Sequence, residues 1–351
     1  MTENNRLFYI DKLKALAMLL VVWGHTMYFC MYHEETISGD PLLNIICTFH
    51  VPLFFFLSGF VIKQPPTISK FMRKAYKFML PMVVVGFVNA LLFNGVKNFF
   101  LNGGHFGYWY LLTLTIFYLL LVPFRFNEKV ILQSLEASSI TASGLCFLCD
   151  IGMAVLFWIA MYFATGISSV VIEALNPSGA FSYWPFFIIG FICRKYGLAD
   201  YIMCKARSFS PHPYNGLGWG RGEALLAIIL VAAYLTMLTA TFSSIDNLPF
   251  IIDLTIAFIT IAALFTVFWL FDKSNTFIDR QLLLIGNSTL HIYIYHYFFI
   301  RLINLEFLTA QSILVEIAVT TLLTIAIAYV SIFVGKVISY TLSRFRQVFA
   351  R

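Results

Sequence analysis

The sequence predicts an all-α, polytopic integral membrane protein, and three observations carry that prediction. The 351 residues are 60% hydrophobic and only 11% charged, with a mean hydropathy of +0.84. A water-soluble domain is nearer half apolar and about a quarter charged. The apolar residues gather into about ten transmembrane runs, near 12–31, 45–62, 78–95, 108–125, 142–165, 181–196, 224–242, 249–271, 283–301 and 311–338. Inside hydrocarbon, backbone groups must bond within their own segment, so these runs read as helices. When the loops are assigned alternately to two sides, all 23 Lys and Arg residues except Lys97 and Arg301 fall on one of them. The positive-inside rule makes that side the cytoplasm and places both termini there. The formal net charge of +6 is therefore a topology signal first, and no nucleic-acid partner is expected. The reading is of one membrane-embedded domain over residues 1–351, with the lipid bilayer as its surroundings.

The first run reads "LKALAMLLVVWGHTMYF" over Leu13–Phe29 and continues past Tyr28 without an A-x-A site, so it is a span and not a cleaved leader. It carries Lys14 near its cytoplasmic end and His25 deep inside, eleven residues on. At about 1.5 Å and 100° per residue that is roughly 16 Å and almost three whole turns, so both side chains share a face. Asp11 lies near the same stripe, three residues before Lys14. An ionisable residue within a membrane marks a functional site unless it serves as interhelical glue. Coenzyme A matches the separation: phosphates at one end for a surface cation, and a thioester at the far end of its arm for a buried imidazole.

The second run contains "PLFFFLSGF". Pro52 is expected near the start of the helix, Ser58 and Gly59 at a close helix contact, and Phe54–Phe56 in packing. His50 stands at the outer mouth, either lining an acceptor entrance or lying at the interface. Ahead of the third run, Lys70, Arg73, Lys74 and Lys77 fall on one helical face. They suit a phosphate clamp as well as anionic lipid. Trp109 and Tyr110 open the fourth run on the outer side, as interfacial anchors or as a platform for a sugar ring. The fifth holds Cys146 and Cys149 in an isolated CxxC with no second pair, so no metal site is expected. The sixth is short, and the polar stretch 194–223 after it is cytoplasmic, with His212, Trp219 and Arg221 offered as a cover for adenine. In the ninth run His296 reaches a depth similar to that of His25 and either lines a reaction chamber or is structural, while His291 points elsewhere. His33 and His105 read as loop residues.

Several of these segments together resemble the acyltransferase-3 family of bacterial membrane acyltransferases. The resemblance rests on Arg6-x4-Asp11-x2-Lys14-x10-His25, on "FHVPLFFFLSGFVI" (Phe49–Ile62), on "YWYLLTLTIFY" (Tyr108–Tyr118) and on "IGNSTLHIYIYHYFFI" (Ile285–Ile300). It implies transfer of an acyl group, usually acetyl from cytoplasmic acetyl-CoA, to a glycan or lipid-linked sugar acceptor at the inner membrane of a bacterium. The family's basic-x10-His motif falls on Lys14 and His25. Its Arg-x-x-Arg ahead of a proline falls on Lys74-x-x-Lys77 with Pro81, where lysine replaces the planar guanidinium fork and Arg73 adjoins. Relatives with a fused secreted domain read W-S-L…E in the fourth span. Here Tyr110 follows Trp109, and the acidic position is apolar or Thr115, so the single-domain branch is expected.

The chemistry then has His25 as general base toward a hydroxyl, or as the covalent acyl carrier. Asp11 is about 21 Å from His25 along the helix and has a structural or coenzyme-side role. An exporter would also suit ten helices with buried polar groups, but no paired half-repeats are evident. A different acyl group such as succinyl, or an amine acceptor, keeps the same chemistry.

Overall fold

The computed structural model describes residues 7–31, 41–93, 95–134, 140–208, 228–231, 234–235, 250–270 and 276–349, and no strand occurs among them. In chain order the helices are α1 (Phe8–His25), α2 (Pro41–Phe60), α3 (Ile68–Leu92), α4 (Val96–Leu101), α5 (Trp109–Leu120), α6 (Val122–Ser134) and α7 (Ile140–Thr165). They continue with α8 (Val170–Ala174), α9 (Pro177–Lys195), α10 (Leu198–Ser208), α11 (Phe250–Leu270), α12 (Phe277–Asn287), α13 (Thr289–Ile300) and α14 (Ile313–Phe349). Among the described residues six segments are long and apolar enough to cross a bilayer: Phe8–Met31, Ile68–Leu92, Trp109–Lys129, Ala142–Thr165, Phe250–Leu270 and Ile313–Thr341. Ile45–Phe60 is a shorter apolar helix. Large apolar side chains such as Leu148, Leu156 and Phe163 on α7, or Leu314, Leu322 and Phe333 on α14, are exposed, as surfaces that meet lipid require.

Several runs differ in detail from their expected form. The ninth is two helices, because the chain leaves helical geometry at Ser288, whose φ of −109° and ψ of 12° separate α12 from α13. The fourth is divided at Leu121 into α5 and α6. Pro52 lies inside α2, which begins at Pro41, and not near its start. An interior proline removes one helical donor, a loss that membrane helices accommodate when their neighbours re-satisfy the backbone. The seventh run falls mostly outside the described residues, as do His33, His212, Trp219 and Arg221.

The chain divides into two compact units, with the boundary inside α2 between Phe54 and Phe55. The first comprises the described residues up to Phe54 and from Asp200 onward. Here α1 packs along α12, α11, α13 and α14. Near its N-terminal end a glycine permits the contact: a Cβ on Gly286 would collide with the carbonyl oxygen of Asp11. Beside that crossing Lys12 is buried and forms an ion pair of 2.6 Å with Asp279. The same carboxylate accepts the backbone N–H and the hydroxyl of Thr276, each at 2.8 Å, and so caps α12. Farther along, the Trp23 indole donates to the Thr320 hydroxyl at 2.8 Å, tying α1 to α14. These contacts hold both ends of α1 before any chemistry is considered.

The second unit is Phe55–Ala199. Its tightest contact is reciprocal: a Cβ on Gly59 would meet the Phe187 carbonyl oxygen, and one on Gly190 would meet that of Phe56. The helices α2 and α9 thus touch backbone to backbone through two glycines, the close approach that Gly59 suggested in the sequence. A charged knot fixes α6, α7 and α9. Asp150, fully buried, accepts from Lys195 at 2.8 Å and from the Tyr196 hydroxyl at 2.8 Å, and Asn127 reaches it at 3.4 Å. Glu128 lies 3.7 Å from the same lysine. His105 does stand in a short turn, His105–Gly107, but it is buried, with Nδ1 2.8 Å from the Phe99 carbonyl oxygen.

Candidate active site

In the first unit α1 is unbroken from Phe8 to His25, so the axial distance of about 16 Å from Lys14 to His25 applies to this chain. Immediately after His25 the helix widens into a π-helical segment, Thr26–Met31. Such segments are rare and recur at functional sites. Nothing in the sequence announced it. Its end is anchored to α13 and the following turn: the Cys30 thiol approaches the Ile300 carbonyl at 3.3 Å, and the Cys30 carbonyl accepts from the Leu305 N–H at 2.7 Å.

The structure brings His25 and His296 together. His25 Nδ1 is 3.0 Å from His296 Nε2, and the two rings are parallel to within 7°, with centroids 5.3 Å apart. That separation suits an edge-to-edge bond in the ring plane and is long for face-to-face stacking. His296 is wholly buried, and its Nδ1 lies 3.0 Å from the Ile292 carbonyl oxygen, one turn back on α13. Tyr297 was not singled out in the sequence, yet its hydroxyl faces His25 Nε2 at 3.4 Å and its ring centroid is 5.0 Å from that imidazole. The signal was present as the residue next to His296 in "IYIYHYFF", hidden among other aromatics. Phe29 closes another side, its centroid 5.8 Å from His25 and 6.0 Å from Tyr297, with the Arg301 guanidinium 5.4 Å above its ring.

Lys14 reaches back one turn to Asp11, Nζ to Oδ1 3.2 Å, and keeps about a quarter of its side chain exposed. Asp11 thus pairs with the lysine of its own helix. His50 is buried on α2, with Nδ1 2.7 Å from its own Ile46 carbonyl oxygen.

The second unit holds the remaining candidates. Lys74 is half-buried and donates to the Tyr118 hydroxyl at 2.7 Å, its ammonium 4.4 Å from that ring's centroid. Lys70, Arg73 and Lys77 are exposed, so the basic face of α3 divides into one inward lysine and three outward cations. Tyr110 is buried and its hydroxyl shares a 2.8 Å hydrogen bond with Ser58, which commits both to the packing of α2 against α5. Trp109 is half-buried and stacks on Tyr183 at 5.4 Å, while Tyr183 stacks on Phe55 at 5.1 Å. Among the described residues no group of three His, Cys, Asp or Glu is arranged to hold a metal ion.

An imidazole deep in an apolar helix, bonded at one ring nitrogen and faced by a phenol at the other, is equipped to move a proton or take a group at that second nitrogen. Comparison with known proteins gives the family. A family model described as an acyltransferase domain matches residues 7–338, nearly the whole chain. No curated protein and no solved structure matches. The match takes in α1 with His25 and α13 with His296, and on that extent the chain belongs to the acyltransferase-3 family and is a membrane acyltransferase.

Proposed function

We propose that this acyltransferase moves an acetyl group from cytoplasmic acetyl-CoA to a hydroxyl of a cell-surface or envelope glycan, at the inner membrane of a bacterium. The observation that carries the reading is the state of His25: Nδ1 is occupied by a hydrogen bond to His296, and Nε2 faces a hydroxyl. A sugar hydroxyl is a poor nucleophile at neutral pH, and its attack on a thioester needs its proton removed as the C–O bond forms. His25 Nε2 takes that proton. The C–S bond then breaks, and the same nitrogen returns the proton to the leaving sulfur, so that base and acid are one residue.

Lys14 supports the donor side of this reading. It sits near the N-terminal end of the helix that carries His25, the end that the charge distribution assigns to the cytoplasm, and is partly exposed. A cation there meets the phosphates of coenzyme A while the arm spans the remaining distance of about 16 Å toward the imidazole.

The test is transfer from radiolabelled acetyl-CoA by the full chain in lipid nanodiscs, with a cell-envelope fraction as acceptor. His25→Ala should abolish transfer while the protein remains folded by circular dichroism. Lys14→Ala should raise KM for acetyl-CoA about tenfold with little change in kcat, the pattern of lost uniform binding. Unchanged transfer by His25→Ala overturns the proposal.

A further inference from the structure

We propose that His296 is a positioning residue that sets the tautomer of His25, holding a proton on Nδ1 and leaving the lone pair on Nε2; this rests on the reading of His25 as the reacting imidazole. The argument starts from a carbonyl. The Ile292 oxygen, 3.0 Å from His296 Nδ1, can only accept, so Nδ1 carries a hydrogen. A neutral imidazole protonated at Nδ1 has its lone pair on Nε2. That Nε2 lies 3.0 Å from His25 Nδ1, so His25 must donate across the contact. Neutral His25 then has its own lone pair on Nε2, the nitrogen that faces the Tyr297 hydroxyl.

The opposite arrangement, with His25 Nδ1 accepting, requires hydrogens on both nitrogens of His296. That puts a charge on a side chain with no exposed surface inside an apolar helix pair, which is costly in a membrane. The neutral chain from Ile292 through His296 to His25 avoids the charge and fixes both rings. Both uses of His25, as base or as acyl carrier, need the lone pair on Nε2. When Nε2 takes the acceptor's proton, the His25 Nδ1–H stays in its bond and His296 stabilises the cation without receiving the proton. A neutral imidazole here does the orienting work that a carboxylate performs in a Ser-His-Asp triad. Asp11 is about 21 Å away along α1 and is too far to supply it.

The first test needs no variant. In ¹⁵N-histidine-labelled full-length protein in lipid, with signals assigned by loss in His25→Ala, His25 should show a protonated Nδ1 and an unprotonated Nε2. The reverse pattern overturns the proposal. The second compares two substitutions by thiol release from acetyl-CoA with the envelope fraction as acceptor. His296→Leu keeps bulk but loses the acceptor; His296→Gln places an amide oxygen near the position of Nε2. Leucine should lower kcat by roughly 100-fold or more, with KM for acetyl-CoA within about twofold, and glutamine should recover most of the loss. In His296→Leu the His25 spectrum should gain the Nε2–H form. Full activity in His296→Leu, or equal loss in both variants with an unchanged His25 spectrum, overturns the positioning role. The acyl-transfer reading fails separately, if His25→Ala keeps transfer.

Discussion

Tyr297 shows how much one hydroxyl can add to an imidazole already oriented from its other side. Its oxygen lies 3.4 Å from His25 Nε2, a long contact, and its ring packs 4.2 Å from that of His296. A donor there can be displaced by the acceptor hydroxyl or can hold the developing oxyanion, and both roles disappear with the phenol oxygen while the ring remains. Tyr297→Phe should therefore lower kcat about tenfold to a hundredfold and leave folding intact, measured by acetyl transfer beside thermal unfolding in the same nanodiscs. Equal kcat in the variant would reduce Tyr297 to a packing residue. At this scale the sequence disclosed His25 and His296 because a histidine in a hydrocarbon run stands out by its cost. It did not disclose Tyr297, since one tyrosine among the 18 tyrosines and 38 phenylalanines of the chain carries no such contrast. Nor did it pick out Lys12, which forms the buried pair with Asp279, because the partner is supplied by a helix more than 260 residues away.

Helices place these side chains, and their contacts were only partly legible. Apolar length exposes a membrane helix directly, so α1 with its π segment, α7, α11 and α14 overlie the expected runs, whereas α3 begins at Ile68, ten residues ahead of its own. A break such as that at Ser288 or the π segment after His25 is set by packing against neighbours, and single-sequence periodicity does not register it. Glycine is the exception, because a membrane helix contact needs small residues and Gly59 advertised one. Its partner is Gly190, and each is in the position where a Cβ would enter the other helix's backbone. Gly59→Ala should cost about 3 kcal/mol or abolish folding, whereas Gly144→Ala should be neutral or mildly stabilising, since no atom lies within 4 Å of a Cβ at Gly144. Thermal unfolding in one detergent compares the two. Equal melting temperatures would mean that α2 and α9 separate easily enough to admit a methyl group.

The whole molecule adds a constraint that no single helix carries, the side on which each loop lies. Charge sorting predicts the segment before α3 in the cytoplasm and the turn after α4 outside, because Lys63, Lys70, Arg73, Lys74 and Lys77 surround the first while Lys97 is alone near the second. The alternation requires α3, 25 residues and about 37 Å long, to cross the bilayer, and its length and apolar composition permit it. Gln64 and Asn102 are both exposed and bracket that crossing. Single cysteines at these positions, in a chain whose own exposed Cys47 and Cys204 are replaced by serine, report the two sides independently. A membrane-impermeant maleimide added to intact cells should label Asn102→Cys and spare Gln64→Cys until the membrane is opened. Labelling of both from outside would mean that α3 does not cross, and the cytoplasmic end of α1 would then have to be assigned anew. Since Lys14 can meet a cytoplasmic thioester donor only from that end, the topology experiment bears on the acetyl-CoA reading as directly as a kinetic one.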